Sequence, residues 1–100
     1  MALKIEQGFQ YLDNDYWKWW IWLEGPDAEL DKVEKVTYTL HRTFPKPVRV
    51  ISDRGTKFKL ETAGWGVFRI FAQVQMKDGA SRRMQHDLVL SYPDGTPTTT

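Results

Sequence analysis

Apolar and polar residues alternate with a period of two along most of this chain. Over residues 17–23, Trp17, Trp19, Ile21 and Leu23 fall on one face and Lys18, Trp20 and Trp22 on the other, the pattern of extended backbone with one side turned to a core. Val36, Tyr38 and Leu40 then alternate with Lys35, Thr37 and Thr39 in a run rich in β-branched residues, which predicts a half-buried strand. A short strand is predicted over 48–51, followed by a turn at Asp53-Arg54-Gly55 and renewed alternation at Phe58 and Leu60. The longest predicted strand covers about 66–76, with Phe68, Ile70, Ala72, Val74 and Met76 inward and Arg69, Gln73 and Gln75 outward. Asp78-Gly79 signals a hairpin into 81–90, where Met84, Leu88 and Leu90 face in.

Helical spacing is confined to one stretch. After the turn chemistry of Gly25-Pro26-Asp27, the segment Asp27-Ala28-Glu29-Leu30 supports at most one turn before the strand pattern resumes. About six to eight short strands separated by regular turn signals predict an all-β fold, an immunoglobulin-like antiparallel β-sandwich. A chain of 100 residues has room for one core of ordinary domain size. Residues 1–95 are therefore read as one domain, and the threonine-rich end from Thr96 as a tail or linker. There is no internal repeat.

Composition narrows the function classes. The 41% hydrophobic content is spread in short runs, none approaching the roughly 18 consecutive apolar residues of a membrane span. Met1-Ala2-Leu3-Lys4-Ile5-Glu6 lacks the features of a secretory signal. The absence of cysteine removes disulfides and thiolate chemistry and is compatible with a reducing compartment. The cytoplasm is the expected location. A net charge of +1 provides no generic attraction to polyanions, although local patches can exist.

Two segments stand outside this scaffold logic. Gly64-Trp65-Gly66 places a large ring between two residues without side-chain bulk, a means of leaving an aromatic exposed for a ligand. Leu40-His41-Arg42-Thr43-Phe44-Pro45-Lys46-Pro47 presents a second aromatic in a proline-stiffened loop. Two such loops can form a clamp. The structural alternatives are a Trp65 folded back into the core, a Phe44 ending a strand in the core, and a Thr43 hydroxyl bonding its own backbone.

The pair of motifs, LHxTFPxP over residues 40–47 and GWGxF over 64–68, together with Gly25-Pro26 and His86-Asp87-Leu88-Val89-Leu90, resembles the YEATS domain over about residues 17–90. The loop between Ile51 and Phe58 is short and lacks a proline pair, so the chain resembles the prokaryotic branch of that family. The resemblance implies an immunoglobulin-fold, non-catalytic reader of acetyl- or crotonyl-type acylated lysine, with no cofactor and no metal. It also implies a set of site residues. Phe44 and Trp65 would sandwich the flat acyl amide, Thr43 would hydrogen-bond it, and His41 would line the pocket. The backbone of Gly64 and Trp65 would provide a donor to the acyl oxygen, Gly66 would complete the loop, and Phe68 would support the back of the site, with Tyr16 as a further aromatic. The partner would be an acylated peptide or protein, or a small amide-like ligand. An alternative is an adaptor in a bacterial signalling or defence protein, keeping the scaffold but recognising another small molecule or a protein surface.

Other chemistry is less well supported. His86-Asp87 with Ser52, Ser81 and Ser91 has the ingredients of a triad but none of its local signatures. His86 alternates with Leu88, which reads as a core or rim histidine. The two histidines make no metal motif. Arg42, Lys46, Arg49, Arg54, Lys57 and Lys59 crowd the middle of the chain and could grip single-stranded nucleic acid beside exposed rings, but the charge balance opposes that as the main task. Trp20 and Trp22, on the outward face, call for cover by Phe9 and Tyr11, by an extra amino-terminal strand, by a second copy, or by a neighbouring domain.

Overall fold

In a computed structural model of the chain, which describes residues 3–98, the alternating segments pair into two antiparallel sheets. The first joins β1 (Lys4–Asp13), β2 (Tyr16–Glu24) and β5 (Leu60–Gly64) in the order β1-β2-β5. The second joins β3 (Val33–Thr39), β4 (Val48–Ile51), β6 (Arg69–Met76) and β7 (Ser81–Asp87) in the order β4-β3-β6-β7. The inward face of β2, made of Trp17, Trp19, Ile21 and Leu23, is fully buried, as are Val36, Tyr38, Ile70 and Val74 from the opposing sheet. Large aromatics bury about 150–250 Å² each. Trp17 and Trp19 are thus among the largest fully buried side chains of the core.

The single helical turn, α1 (Asp27–Leu30), lies where the helical spacing was confined, and anchors through Leu30. Arg54 bridges it to the turn before β5, reaching Asp31 at 3.0 Å and Asp27 at 3.2 Å. Within that turn, the side chain of Asp53 accepts from the Gly55 N–H at 3.0 Å, and Lys57 and Phe58 adopt left-handed backbone. Phe58 is thus buried by a backbone reversal rather than by strand alternation, and its carbonyl accepts a 2.8 Å hydrogen bond from the Tyr38 hydroxyl. That buried bond ties β3 to the start of β5. Burial also pushes the Tyr38 phenol above its ordinary pKa range.

Two expectations need correction. The longest strand is β1, not the segment over 66–76: β6 begins at Arg69, and Gly66, Val67 and Phe68 form a loop. Phe9 and Tyr11 do not cover Trp20 and Trp22, because they pair in register with Trp19 and Trp17 and so share their inward face. Tyr11 packs against Trp17 and Tyr92 at ring separations of 5.1 and 5.6 Å. Instead β1 lies beside β2 and places Gly8 opposite Trp20. A Cβ at Gly8 would collide with the Trp20 indole, 2.5 Å from Cε2 and closer still to Nε1, so the missing side chain is what lets the ring lie across β1. Lys59 Nζ stands 5.6 Å from the centre of the same ring, and the Trp22 N–H donates to Glu24 at 3.1 Å. Both outward tryptophans are half-buried by their own neighbours.

The described part of the carboxyl-terminal segment makes backbone contacts of its own. Thr98 N–H donates to the Leu90 carbonyl at 2.9 Å and Tyr92 N–H to the Thr96 carbonyl at 2.8 Å, so residues 96–98 turn back onto 90–92. Thr99 and Thr100 lie outside the described residues. No helix among the described residues is long and apolar enough to cross a membrane.

Candidate functional site

The loops that end β3 and β5 meet at one end of the sandwich and enclose a cavity of about 300 Å³. That volume is at the lower end of the range for small-molecule sites. Its lining comprises His41, Thr43, Phe44 and Pro45 from the first loop; Ala63, Gly64, Trp65, Gly66, Val67 and Phe68 from the end of β5 and the loop beyond it; and Tyr16 from the start of β2. Every site residue expected from the sequence lies at this cavity, Tyr16 included. Pro45, Ala63 and Val67 were not anticipated. Pro45 and Val67 fall inside the two motifs, and Ala63 is brought in by its register opposite Lys18.

Local geometry explains the placement. Gly64 pairs with Trp17 in the β2–β5 ladder, which sets Trp65 just past the last rung, where the strand gives way to a bend. Trp65 is 63% exposed, so it is not folded back into the core. Phe44 is half-buried, resting on Phe68 at 5.4 Å and on Trp19 at 6.2 Å between ring centres. A Cβ at Gly64 would lie in ordinary contact with both Phe44 Cζ, at 3.5 Å, and Trp19 Nε1, at 3.6 Å. Phe68 completes the cluster against Trp19 at 5.8 Å and His41 at 6.1 Å. Phe44 and Phe68 thus stand on the core, while Trp65 stands clear of it.

The Thr43 hydroxyl is engaged by a ring rather than by its own backbone. His41 Nδ1 accepts from the Thr43 N–H at 3.3 Å, which makes Nδ1 the nitrogen that carries no hydrogen. The 2.9 Å contact between Nδ1 and Thr43 Oγ1 is then the hydroxyl donating to the ring. Its lone pairs are left as acceptors. Among the described residues, no carboxylate lines the cavity.

The remaining candidates separate from the site. His86 Nε2 donates to Gln7 Oε1 at 2.6 Å, while Asp87 accepts from Arg69 at 2.8 Å. The adjacent His-Asp pair is therefore divided between two unrelated contacts. Gln7 also spans to Val89, donating to its carbonyl at 2.7 Å and accepting from its N–H at 3.0 Å. Desolvation holds the His86 pKa below its ordinary value. The Asp87 carboxyl is held low by its bond to Arg69. Of the six clustered cations, Arg54 pairs with Asp27 and Asp31, Lys57 with Glu24, and Lys59 with Glu61. Arg42, Lys46 and Arg49 have no ion-pair partner among the described residues.

Known proteins resemble this chain in sequence and in fold. The chain is 38% identical over 68 residues to a protein AF-9 homolog of Eremothecium gossypii, covering 66% of this chain and 32% of that protein. It is 32% identical over 84 residues to protein AF-9 of Homo sapiens, covering 79% of this chain and 14% of the relative. The chain thus spans about a third or less of the length of these curated relatives. Among solved structures it is similar to the Yaf9 YEATS domain recognizing an H3K122suc peptide, with a TM-score of 0.74 and 28% identity over 93% of this chain and 74% of that one. A second similar structure, the Yaf9 YEATS domain bound to H3K27ac, has a TM-score of 0.66 and 24% identity over 97% and 74% of the two chains. YEATS domains have an immunoglobulin-like sandwich fold and are non-catalytic reader modules. The family model described as prokaryotic YEATS domain matches residues 17–89, from the first buried tryptophan of β2 to the residue that Gln7 clamps, and the chain belongs to that family.

Proposed function

We propose that this chain binds an acylated lysine side chain, of acetyl or crotonyl type, with its amide between Phe44 and Trp65. The observation that carries the reading is the joint lining of one cavity by an exposed Trp65, a core-seated Phe44 and a Thr43 hydroxyl oriented by His41. An amide is planar and neutral, so two rings can cover its faces by dispersion while its edge remains open to hydrogen bonds. The lone pairs on Thr43 Oγ1 match the amide N–H. The backbone of Gly64 and Trp65 is the donor side for the acyl oxygen.

Discrimination against free lysine arises from the lining. A buried ammonium gains about 0.5–2 kcal/mol from an aromatic face. Without a carboxylate in the cavity this does not offset desolvation of the charge. Acylation removes the charge and supplies the flat group. The similar Yaf9 domain recognizes a succinyl-lysine peptide, which supports a peptide-borne guest. We place the module in the cytoplasm, in keeping with its lack of cysteine.

The test is calorimetric titration with one peptide sequence bearing acetyl-, crotonyl-, succinyl- or unmodified lysine. The reading requires acyl-dependent binding. Equal affinity for the acylated and unmodified forms would overturn it, and binding to none of them would favour an adaptor that keeps the scaffold for another ligand.

A further inference from the structure

The charge around the cavity mouth is uneven, because several cations of the fold are paired with carboxylates and those of one cavity loop are not. Lys18 and Lys59 are held by Glu61, Lys57 by Glu24, Arg54 by α1 and Arg69 by Asp87. The loop joining β3 to β4 escapes this neutralisation. No Asp or Glu stands between Glu34 and Asp53 in the sequence, and Arg42, Lys46 and Arg49 have no carboxylate partner among the described residues. Arg42 and Lys46 are exposed and alternate with the lining residues His41, Thr43, Phe44 and Pro45. Arg49 Nε donates to the Lys46 carbonyl, holding the loop against β4. Lys32, Lys35, Lys77, Arg82 and Arg83 also lack an ion-pair partner among the described residues, but Arg42 and Lys46 are the unpaired cations interleaved with residues that line the cavity.

We propose that the partner carries acidic residues next to the acylated lysine, on the side that meets the β3–β4 loop. This rests on the acyl-lysine reading of the cavity and specifies the sequence context that the reading leaves open. Unpaired cations bordering a site favour partners of opposite sign and disfavour basic ones. Because the lip is solvent-exposed, each contact is individually modest and screened by salt. The effect therefore belongs to selectivity between flanking sequences, while the cavity accounts for the requirement for an acyl group.

The experiment uses three peptides with the same acylated lysine, flanked by Asp and Glu, by Ser and Gln, or by Lys and Arg, each with its unmodified counterpart. At low salt the acidic peptide is expected to bind about three- to tenfold more tightly than the neutral one, with the basic peptide weakest. The spread should shrink as salt is raised. In a variant carrying R42E and K46E, checked for an unchanged melting temperature, the order of acidic and basic peptides should invert. Equal affinity for the three flanks, with acyl dependence retained, overturns this inference and leaves the cavity reading intact. Loss of acyl dependence in all three ends both. Single-stranded DNA that displaces the acidic peptide with equal effect whether or not the lysine is acylated would assign the lip to phosphate instead, and would also overturn it.

Discussion

Trp65 and Phe44 line the same cavity but stand in different energetic positions, and this separates what their loss should do. Trp65 is 63% exposed, so Trp65→Ala should cost about 0.5 kcal/mol or less of stability, the usual range for a surface change. Truncating a core Trp costs about 3–5 kcal/mol. The expected outcome is an acyl-peptide titration reduced to baseline with a nearly unchanged melting temperature. A large fall in melting temperature would show Trp65 to be a packing residue and remove one wall of the clamp. Thr43 allows a finer test, since its hydroxyl donates to His41 and keeps its acceptor sites for the guest. Thr43→Val should weaken acyl-peptide binding by about 1–2 kcal/mol while preserving shape, whereas Thr43→Ser should restore most of it. Equal binding by the threonine, serine and valine forms would make the hydroxyl a loop brace for His41 alone.

Among the elements, β1 makes the most specific demand. Its Gly8 leaves the space in which the Trp20 indole lies, and an added Cβ would overlap that ring at Nε1 and fall 2.5 Å from Cε2. Gly8→Ala is therefore expected to destabilise by about 1–3 kcal/mol through overpacking, against the usual gain in strand stability when a glycine is replaced. Pairing it with Trp20→Ala should relieve most of that cost, a coupling readable by denaturant unfolding of the two single variants and the double. Additive single effects would show that Gly8 and Trp20 do not constrain one another. The contact also bears on association. With Trp20 lying over β1 and under Lys59, the outward tryptophans gain cover from within the chain.

Across the whole molecule, the two sheets are joined at one edge by a polar stitch, in which Gln7 of β1 bonds both His86 of β7 and the backbone of Val89. Desolvation lowers the folded-state pKa of His86, overcoming the opposing attraction of Asp87 and Glu6. The unfolded chain then takes up a proton on this residue at higher pH than the folded one. Stability should be unaffected by His86 above its unfolded pKa of about 6.5 and should decline as pH falls below that value toward the lower folded pKa. His86→Gln should flatten this part of the profile, measured as melting temperature from pH 7.5 to 5. An identical slope in the variant would assign the decline to other groups.

Much of this was legible because alternation is a local property. The inward sets Trp17, Trp19, Ile21, Leu23 and Val36, Tyr38, Leu40 come from a side-chain period of two that any extended chain obeys, and burial confirms them. The site residues were legible for a different reason. His41 to Phe44 and Gly64 to Phe68 sit in two compact motifs whose resemblance to a family carried their pairing, and no periodicity would have brought the two loops together. What the sequence left open depends on contacts between segments distant along the chain. The facing of Phe9 and Tyr11 was decided by the β1–β2 register, a one-residue choice that reverses which side a ring occupies. Phe58 reached the core through left-handed backbone at a turn, which alternation cannot encode. The six clustered cations looked alike in sequence, and only folding, by bringing Glu24, Asp27, Asp31 and Glu61 to three of them, left the other three without a carboxylate partner, two of them beside residues that line the cavity. Sequence by itself determined the alternating cores of β2, β3 and β6 and the two loop motifs, because these depend on neighbours a few residues apart. Tertiary structure decided register and the pattern of free charge, because each depends on which distant groups the packed sheets place within a few ångströms.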